Sequence, residues 1–348
     1  MNKKKITKLV YSAMTATVVT LSSFMIGPTT TNANEIFTDV KEADYYYDAV
    51  MNLATNGYVT GFPDNTYKPN ASITRGQMAI ILAGLLELDT DNVTNPQFTD
   101  VSTSHPYYGA IAAMHNAGYI NGFEDGSYGI NKPITRYHMA LILSAAFNLT
   151  ATNVDALPFT DVYPSYKETV AALFEHQVTA GRTPTTFDGS KNVTRGQMAV
   201  FLVKAIEATY PYLQVINVEG DKVITTNGEY TFDESLAGVF SAENRDALSN
   251  SEMIVNVAGT EIKGISVLIL NNGGTVENPI TFNGDNIDIV GEVYVNADYI
   301  KIQNVSIAGD LCITNNVFNQ LELVDVYLDG EMLFESEEVP EVLIFYTE

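Results

Sequence analysis

Apolar residues follow two different periods along this chain, and the period changes near residue 210. In the first half they recur every three or four positions. Tyr46, Val50, Leu53 and Ala54 share one helical face that ends at Gly57, a natural stop. A loop rich in turn formers follows, with Gly61, Pro63, Asp64, Asn65 and Pro69. Thr74 then opens a second helix as N-cap, with Gln77 three residues on to complete a capping box, and Met78, Ile81, Leu82 and Leu85 form its apolar stripe. The pattern of helix, loop and helix returns twice more. The box recurs at Thr194 and Gln197, whereas in the middle copy His138 stands where Gln reaches back, which predicts a weaker cap.

From Tyr210 onward short segments alternate apolar and polar residues, as at Val293 and Val295, Ile300 and Ile302, Leu311 and Ile313, Leu321 and Leu323. Turn signals separate them: Asn227-Gly228, Asn271 through Gly274, Asn283-Gly284 and Asp329-Gly330. The stretch 300–314 resembles 321–335 at an offset of 21, and 342–346 begins another turn of the same kind. A repeat of that length favours a β-solenoid, in which each rung covers the edge of the one before it. An antiparallel β-sandwich is the alternative, because it too calls for alternation and turns. The resemblance of this half to right-handed β-helix proteins is weak.

Internal repetition dominates residues 37–209. FTDV occurs at 37–40, 98–101 and 159–162, two steps of 61 residues. The first two copies align without a gap, NGYVTGF at 56–62 on AGYINGF at 117–123, and ITRGQMAIIL at 73–82 on ITRYHMALIL at 134–143. The third is two residues shorter before resuming with VTRGQMAVFL at 193–202. It also departs from the pattern, with Gln177 and Val178 for Gly-Tyr and only Gly181 left of the glycine pair, so its groove is expected to be weakened or specialised.

In these motifs the chain resembles the S-layer homology (SLH) domain family, in which three tandem copies build a pseudo-threefold helical module. The resemblance covers repeats at 37–90, 98–150 and 159–209, ahead of an acidic β-rich domain at 210–348. The expected fold class is therefore multidomain, an all-α module followed by an all-β domain. The resemblance implies a partner, a secondary cell-wall polysaccharide commonly bearing acidic pyruvyl groups, held in grooves between neighbouring repeats. It brings Gly61, Gly122 and Gly181 to those grooves, and lattice proteins of the same surface are further expected partners.

The residues themselves point the same way. Arg75, Arg136 and Arg195 each follow an N-cap, where unpaired N–H groups and the helix dipole favour an anion, and a guanidinium can engage a carboxylate bidentately. Surface ion pairing is the bland alternative for one such Arg. Three at equivalent places among only ten Lys plus Arg in the region favour ligand contact. Asp39, Asp100 and Asp161 stand open between accepting from sugar hydroxyls and capping the turn into the first helix.

Charge narrows the functional classes. The chain has 348 residues with 18 Lys plus Arg against 42 Asp plus Glu, a formal charge of −24, and residues 210–348 alone hold four against 24. Too few cations are present to release phosphate counterions, so nucleic-acid binding is not expected. Residues 1–33 carry Lys3, Lys4, Lys5 and Lys8, an apolar run and a small-residue end at Ala33. That is the layout of a secretory signal peptide, leaving no membrane segment after cleavage. The protein is thus expected outside a Gram-positive-type cell, retained noncovalently, with the lone Cys312 a buried thiol.

An enzyme is not expected. Asp285, Asp288, Glu292 and Asp298 offer carboxylates, but no basic or histidine partner accompanies them after His176. No cofactor is expected either. Calcium suits carboxylate-rich exterior proteins, but no DxDxDG loop or glycine-aspartate nonapeptide is present, so a site would have to be assembled from distant residues.

Overall fold

The computed structural model describes residues 36–336 and 340–346; the signal peptide read at 1–33 lies outside them. The chain forms two compact units that part at Ala208 and Thr209. None of the described helices is long and apolar enough to cross a membrane.

The first unit is built of three helix pairs: α1 (Tyr47–Thr55) and α2 (Arg75–Leu85), α3 (Tyr108–Asn116) and α4 (Arg136–Ala146), α5 (Lys167–Glu175) and α6 (Arg195–Thr209). Gly57 and Gly118 stop α1 and α3 in the left-handed region at φ +76° and +79°. Gln177 takes the same place at φ +59°, a conformation that costs a residue with Cβ roughly 1 kcal/mol. The capping box forms on α2, and Thr194 and Gln197 repeat it with bonds of 3.3 Å. In α4 Thr135 accepts from the His138 N–H alone, so half the box is lost, as the sequence predicts.

Pairing runs between repeats. Helix α2 packs against α3, and α4 against α5, so the second helices of the first two repeats each meet the first helix of the next. The motifs that precede the second helices close the ring. The Ile73 N–H donates to the Val193 carbonyl (3.0 Å), Val193 to Ile134 (2.9 Å) and Ile134 back to Ile73 (3.0 Å). All three side chains are fully buried. A cyclic set of bonds at three equivalent residues is the pseudo-threefold axis expressed in backbone chemistry.

The second unit opens with antiparallel strands and continues as a parallel stack. Strands β1 (Tyr212–Glu219), β2 (Lys222–Thr225) and β3 (Gly228–Phe232) pair antiparallel, as does β4 (Glu252–Ala258) with β1 and with β5 (Glu261–Leu270). Two parallel ladders follow. One is β5, β7 (Glu292–Val295), β9 (Leu311–Ile313) and β11 (Met332–Phe334); the other is β6 (Ile280–Ile289), β8 (Ile300–Ile307), β10 (Gln320–Leu328) and β12 (Glu341–Phe345). Leu321 pairs with Ile300 and Val342 with Leu321, the 21-residue offset of the sequence. The two sheets face each other across a core that includes Phe282, Ile302, Leu323, Val293, Leu311 and Ile313. This is the solenoid of the two readings, and the front antiparallel strands are its one sandwich-like feature.

Polar side chains continue the stack outside the core. Asn304 donates to Asn283 (3.0 Å), Asn296 to Asn271 (2.7 Å) and Thr314 to Asn296 (2.7 Å), so successive rungs are tied laterally. Lys301 pairs with Glu322 across a rung at 3.1 Å.

Cys312 on β9 is buried, and burial first, then the Glu292 charge, pushes its thiol up to about 11. Because the unfolded thiol ionises near its ordinary value, this contribution to stability is complete below that value and is lost as pH rises through the folded one. Iodoacetamide at pH 8 should therefore label the native chain about a hundredfold more slowly than the urea-unfolded chain, from roughly two units in thiol pKa. Equal rates would mean that the rung of β9 opens freely.

Candidate functional site

The three arginines do not stand as free side chains at open helix starts. They are nearly enclosed, with 5% (Arg75), 4% (Arg136) and 7% (Arg195) of their surface exposed, and each reaches into the next repeat. Arg75 donates through Nε to the Tyr128 carbonyl (2.8 Å) and through Nη2 to Asn121 (2.7 Å). Arg195 closes the ring on the first repeat, donating through Nε to Tyr67 (2.7 Å) and through Nη2 to Thr60 (2.9 Å). Arg136 donates through Nε to Phe187 (2.7 Å). Aromatic faces cover the guanidinium groups, with Tyr128 at 4.5 Å from Arg75, Tyr67 at 4.4 Å from Arg195 and Phe187 at 4.6 Å from Arg136.

The helix-start N–H groups that the sequence offers to an anion are also taken. Arg75 and Gly76 donate to Lys132 and Ile130, Arg136 and Tyr137 to Lys191 and Gly189, and Arg195 and Gly196 to Ala71 and Pro69. The third N–H of each helix goes to its own threonine cap. The expectation of an anion seat on these N–H groups is therefore corrected. A helix start is satisfied by any acceptor, and here the neighbouring repeat supplies carbonyls. What the arginines retain for a ligand is the part of each guanidinium that has no protein acceptor.

The aspartates clamp loops. Asp39 accepts from the N–H groups of Tyr67 (2.7 Å) and Lys68 (2.8 Å), and Asp161 from Phe187 and Asp188, both at 2.7 Å. Asp100 accepts from Tyr128 (2.6 Å), Gly129 (2.8 Å) and Ile130 (3.2 Å). Partial desolvation pushes the Asp100 carboxyl up, but those backbone bonds outweigh it and hold the group below the usual carboxylate range. This is not a cap on the turn into the first helix, because the acceptor lies 26 to 30 residues from its donors. The glycines have a packing reason too. A Cβ at Gly61, Gly122 or Gly181 would lie 2.5 Å from Cε1 of Phe37, Phe98 or Phe159. Phe, Gly and Asp thus recur together in the three copies to shape the loop that the arginine of the preceding repeat in the ring grips.

A cavity of about 340 Å³ remains between the first two repeats, lined by Arg75, Tyr119, Asn121, Phe123, His138 and Leu141 among others. Phe123 lies 5.0 Å from Arg75 and 4.2 Å from the Lys132 ammonium. Burial first, then the Arg75 charge, pushes the His138 imidazole below its ordinary value, so it is neutral at pH 7. Arg75 is a candidate of the sequence, whereas the sequence offers His138 only as a weak capping residue. It stands two residues after the motif arginine of its own repeat, yet it lines the cavity with the arginine of the repeat before, a neighbour that no local spacing records. In the third copy Arg182 replaces the aromatic of Phe62 and Phe123.

In the second unit the carboxylates do not converge. Asp298 accepts from the N–H groups of Phe318 and Asn319 and from the Asn319 amide, Glu292 accepts from the Tyr294 hydroxyl, and Asp285 sits in the bulge of β6 beside Gly238. Among the described residues no group of three or more His, Cys, Asp or Glu is placed to hold a metal ion.

A family model described as the S-layer homology domain matches residues 36–79, 97–140 and 158–199. The S-layer protein of Bacillus thuringiensis subsp. finitimus is 30% identical over 224 residues, covering 63% of this chain and 26% of that protein. The surface-layer 125 kDa protein of Lysinibacillus sphaericus is 28% identical over 283 residues, covering 79% of this chain and 22% of that one. An uncharacterized cell wall amidase of Bacillus anthracis is 30% identical over 206 residues, with 57% and 37% covered. The chain thus spans about a quarter of the length of the two surface-layer relatives.

Proposed function

We propose, on the premise that residues 36–199 hold three S-layer homology domains, that the helical unit fastens this protein noncovalently to an anionic secondary cell-wall polysaccharide. The chain is a protein of the bacterial cell surface, as its domains and surface-layer relatives have it. The acidic solenoid is then the displayed part, a structural or assembly module rather than an enzyme, with other surface-layer proteins as its partners.

One observation carries the reading. In a chain of charge −24 the Arg75 guanidinium forms one wall of a cavity whose other walls are aromatic and apolar groups together with Asn121 and His138. A sugar ring packs on Tyr119 and Phe123 while its acidic substituent meets the cation, whose field is strengthened by the surrounding low dielectric. Arg75 and the equivalent arginines are the charged contacts; Asp39, Asp100, Asp161 and the three glycines shape the loops that present them. Several grooves on one polymer add avidity without new contacts.

The test leaves the fold alone. Leu141 is 40% exposed at the cavity wall, so Leu141→Glu places a carboxylate there without opening the core. Sedimentation with isolated cell walls should weaken about tenfold, on the order of 1.4 kcal/mol. The parent should lose sedimentation altogether once the nonpeptidoglycan polymer is stripped from the walls. Equal sedimentation of variant and parent would remove this cavity from the binding surface.

A further inference from the structure

We propose that the groove between the second and third repeats is the principal oxyanion seat, formed by the end of the Arg136 guanidinium with Arg182 as its specificity-determining residue. The inference deepens the anchoring reading and rests on it for the source of the anion.

The three motif arginines differ in what they have left to donate. Arg75 and Arg195 each spend Nε and Nη2 on carbonyls of the next repeat. Arg136 spends only Nε. Its Nη2 is enclosed and has no acceptor, in a side chain 96% buried by its 4% exposure. A bidentate carboxylate or phosphate needs two adjacent N–H groups on one edge of the fork. Among the described residues only Arg136 of these three keeps both terminal nitrogens free of protein acceptors.

The cause lies in the third repeat. Asn121 and Thr60 supply the carbonyl in the other two grooves, and the equivalent residue is Ala180. Here Thr179 replaces Val59 and Ile120, its hydroxyl accepts from the Gly181 N–H at 3.1 Å, and Gly181 turns to φ +81°. The chain bends differently at 180–181, and the carbonyl does not reach Arg136. A buried donor left this way is destabilising until an acceptor arrives.

Arg182 supplies the second element. It stands where Phe62 and Phe123 cover the guanidinium in the other grooves, so a cation replaces an aromatic face. Among the described residues its one ion pair is with Asp188, at 4.0 Å and about half exposed on both sides. Asp161 is committed to its two backbone N–H bonds. Burial first, then the Arg182 charge, pushes Arg136 down to about 10, which places the two guanidinium groups within each other's field. Two like charges and one orphaned donor at one groove are relieved together by a bound oxyanion.

Pyruvate and inorganic phosphate, each at constant ionic strength against chloride, are the probes, read on the side-chain ¹⁵N resonances of the full chain. The Arg136 and Arg182 signals should shift together, at concentrations that leave Arg75 and Arg195 unmoved. Arg182→Phe, which restores the aromatic of the other grooves, should weaken the Arg136 response at least tenfold; Arg182→Gln serves if that variant melts early. Equal response at Arg75 or Arg195, or an unchanged Arg136 response in both variants, overturns the inference. If the parent binds wall polysaccharide but Arg136 does not respond to either anion, the seat is wrong and the anchoring reading stands. If Arg136 responds while wall polysaccharide is not bound, the seat stands and the anchoring reading fails.

Discussion

Arg195→Ala should unfold the helical unit far more easily than the parent, by about 3–5 kcal/mol in urea titrations followed at 222 nm. Truncation removes two buried charge-assisted bonds and leaves the carbonyls of Tyr67 and Thr60 without their donor. It also uncovers the Tyr67 ring, which lies 4.4 Å from the guanidinium and donates its own hydroxyl to the Arg195 carbonyl at 3.1 Å. These contacts join residues 128 and 135 positions apart, so they close the ring between the last repeat and the first. No local helix propensity replaces a closure of that range. A variant that melts with the parent would show that the guanidinium is dispensable to the ring. The result bears on binding assays as well. Loss of wall attachment in an arginine truncation reports the collapse of the groove as much as the loss of a ligand contact, which is why the variants of Leu141 and Arg182 are the informative ones.

The helix pairs and the solenoid register were legible because each is written as a period. The offset of 21 between Ile300 and Leu321 is the pairing itself, and the TR motifs mark the second helices to the residue. The rung before them was hidden by a bulge between Asn283 and Ile287, where Asp285 and Asn286 adopt positive φ and break the alternation. The antiparallel start was hidden for another reason. β1 and β4 are separated by more than thirty residues and pair only because strands, turns and short helical segments fold between them, which no local period records.

For the site, chemistry was legible and connectivity was not. Three arginines after caps read as donors in search of an acceptor, and that is what they are. The acceptors are backbone carbonyls of the following repeat, and a carbonyl leaves no trace in a sequence. The same holds for the aspartates, whose donors are backbone N–H groups across the loop. Side-chain identity fixes what a group offers, and topology fixes who takes it. The departures of the third copy are informative for that reason. Thr179 and Arg182 alter the offer on one side of a joint whose other side, Arg136, is unchanged.

Gly309→Ala should be strongly damaging to the solenoid, because the added methyl falls at a corner where three glycines stack. Glycines 291, 309 and 330 stack at one corner of the rungs, each so close to the strand before it that a Cβ overlaps backbone. At Gly309 it would strike the Gly291 carbonyl, at Gly330 the Gly309 carbonyl and at Gly291 the Ser266 carbonyl. A side chain in the way can rotate aside, but a carbonyl fixed in a parallel ladder can move only with its strand. The Gly309 N–H itself donates to the Gly291 carbonyl at 3.1 Å, so separation of the rungs also breaks that bond. Overpacking ordinarily costs about 1–3 kcal/mol, and a rigid backbone on both sides places this case at or above the upper end. Hydrogen exchange should show the amides of β7 through β12 losing protection together, because each rung is the template for the next. Gly264→Ala is the control: its Cβ would meet nothing within 4 Å, and exchange of an open strand glycine for alanine should change stability by less than about 0.5 kcal/mol or raise it. Equal effects of the two substitutions would mean that the corner spacing is adjustable, and that the rungs are held by their apolar core and side-chain ladders alone.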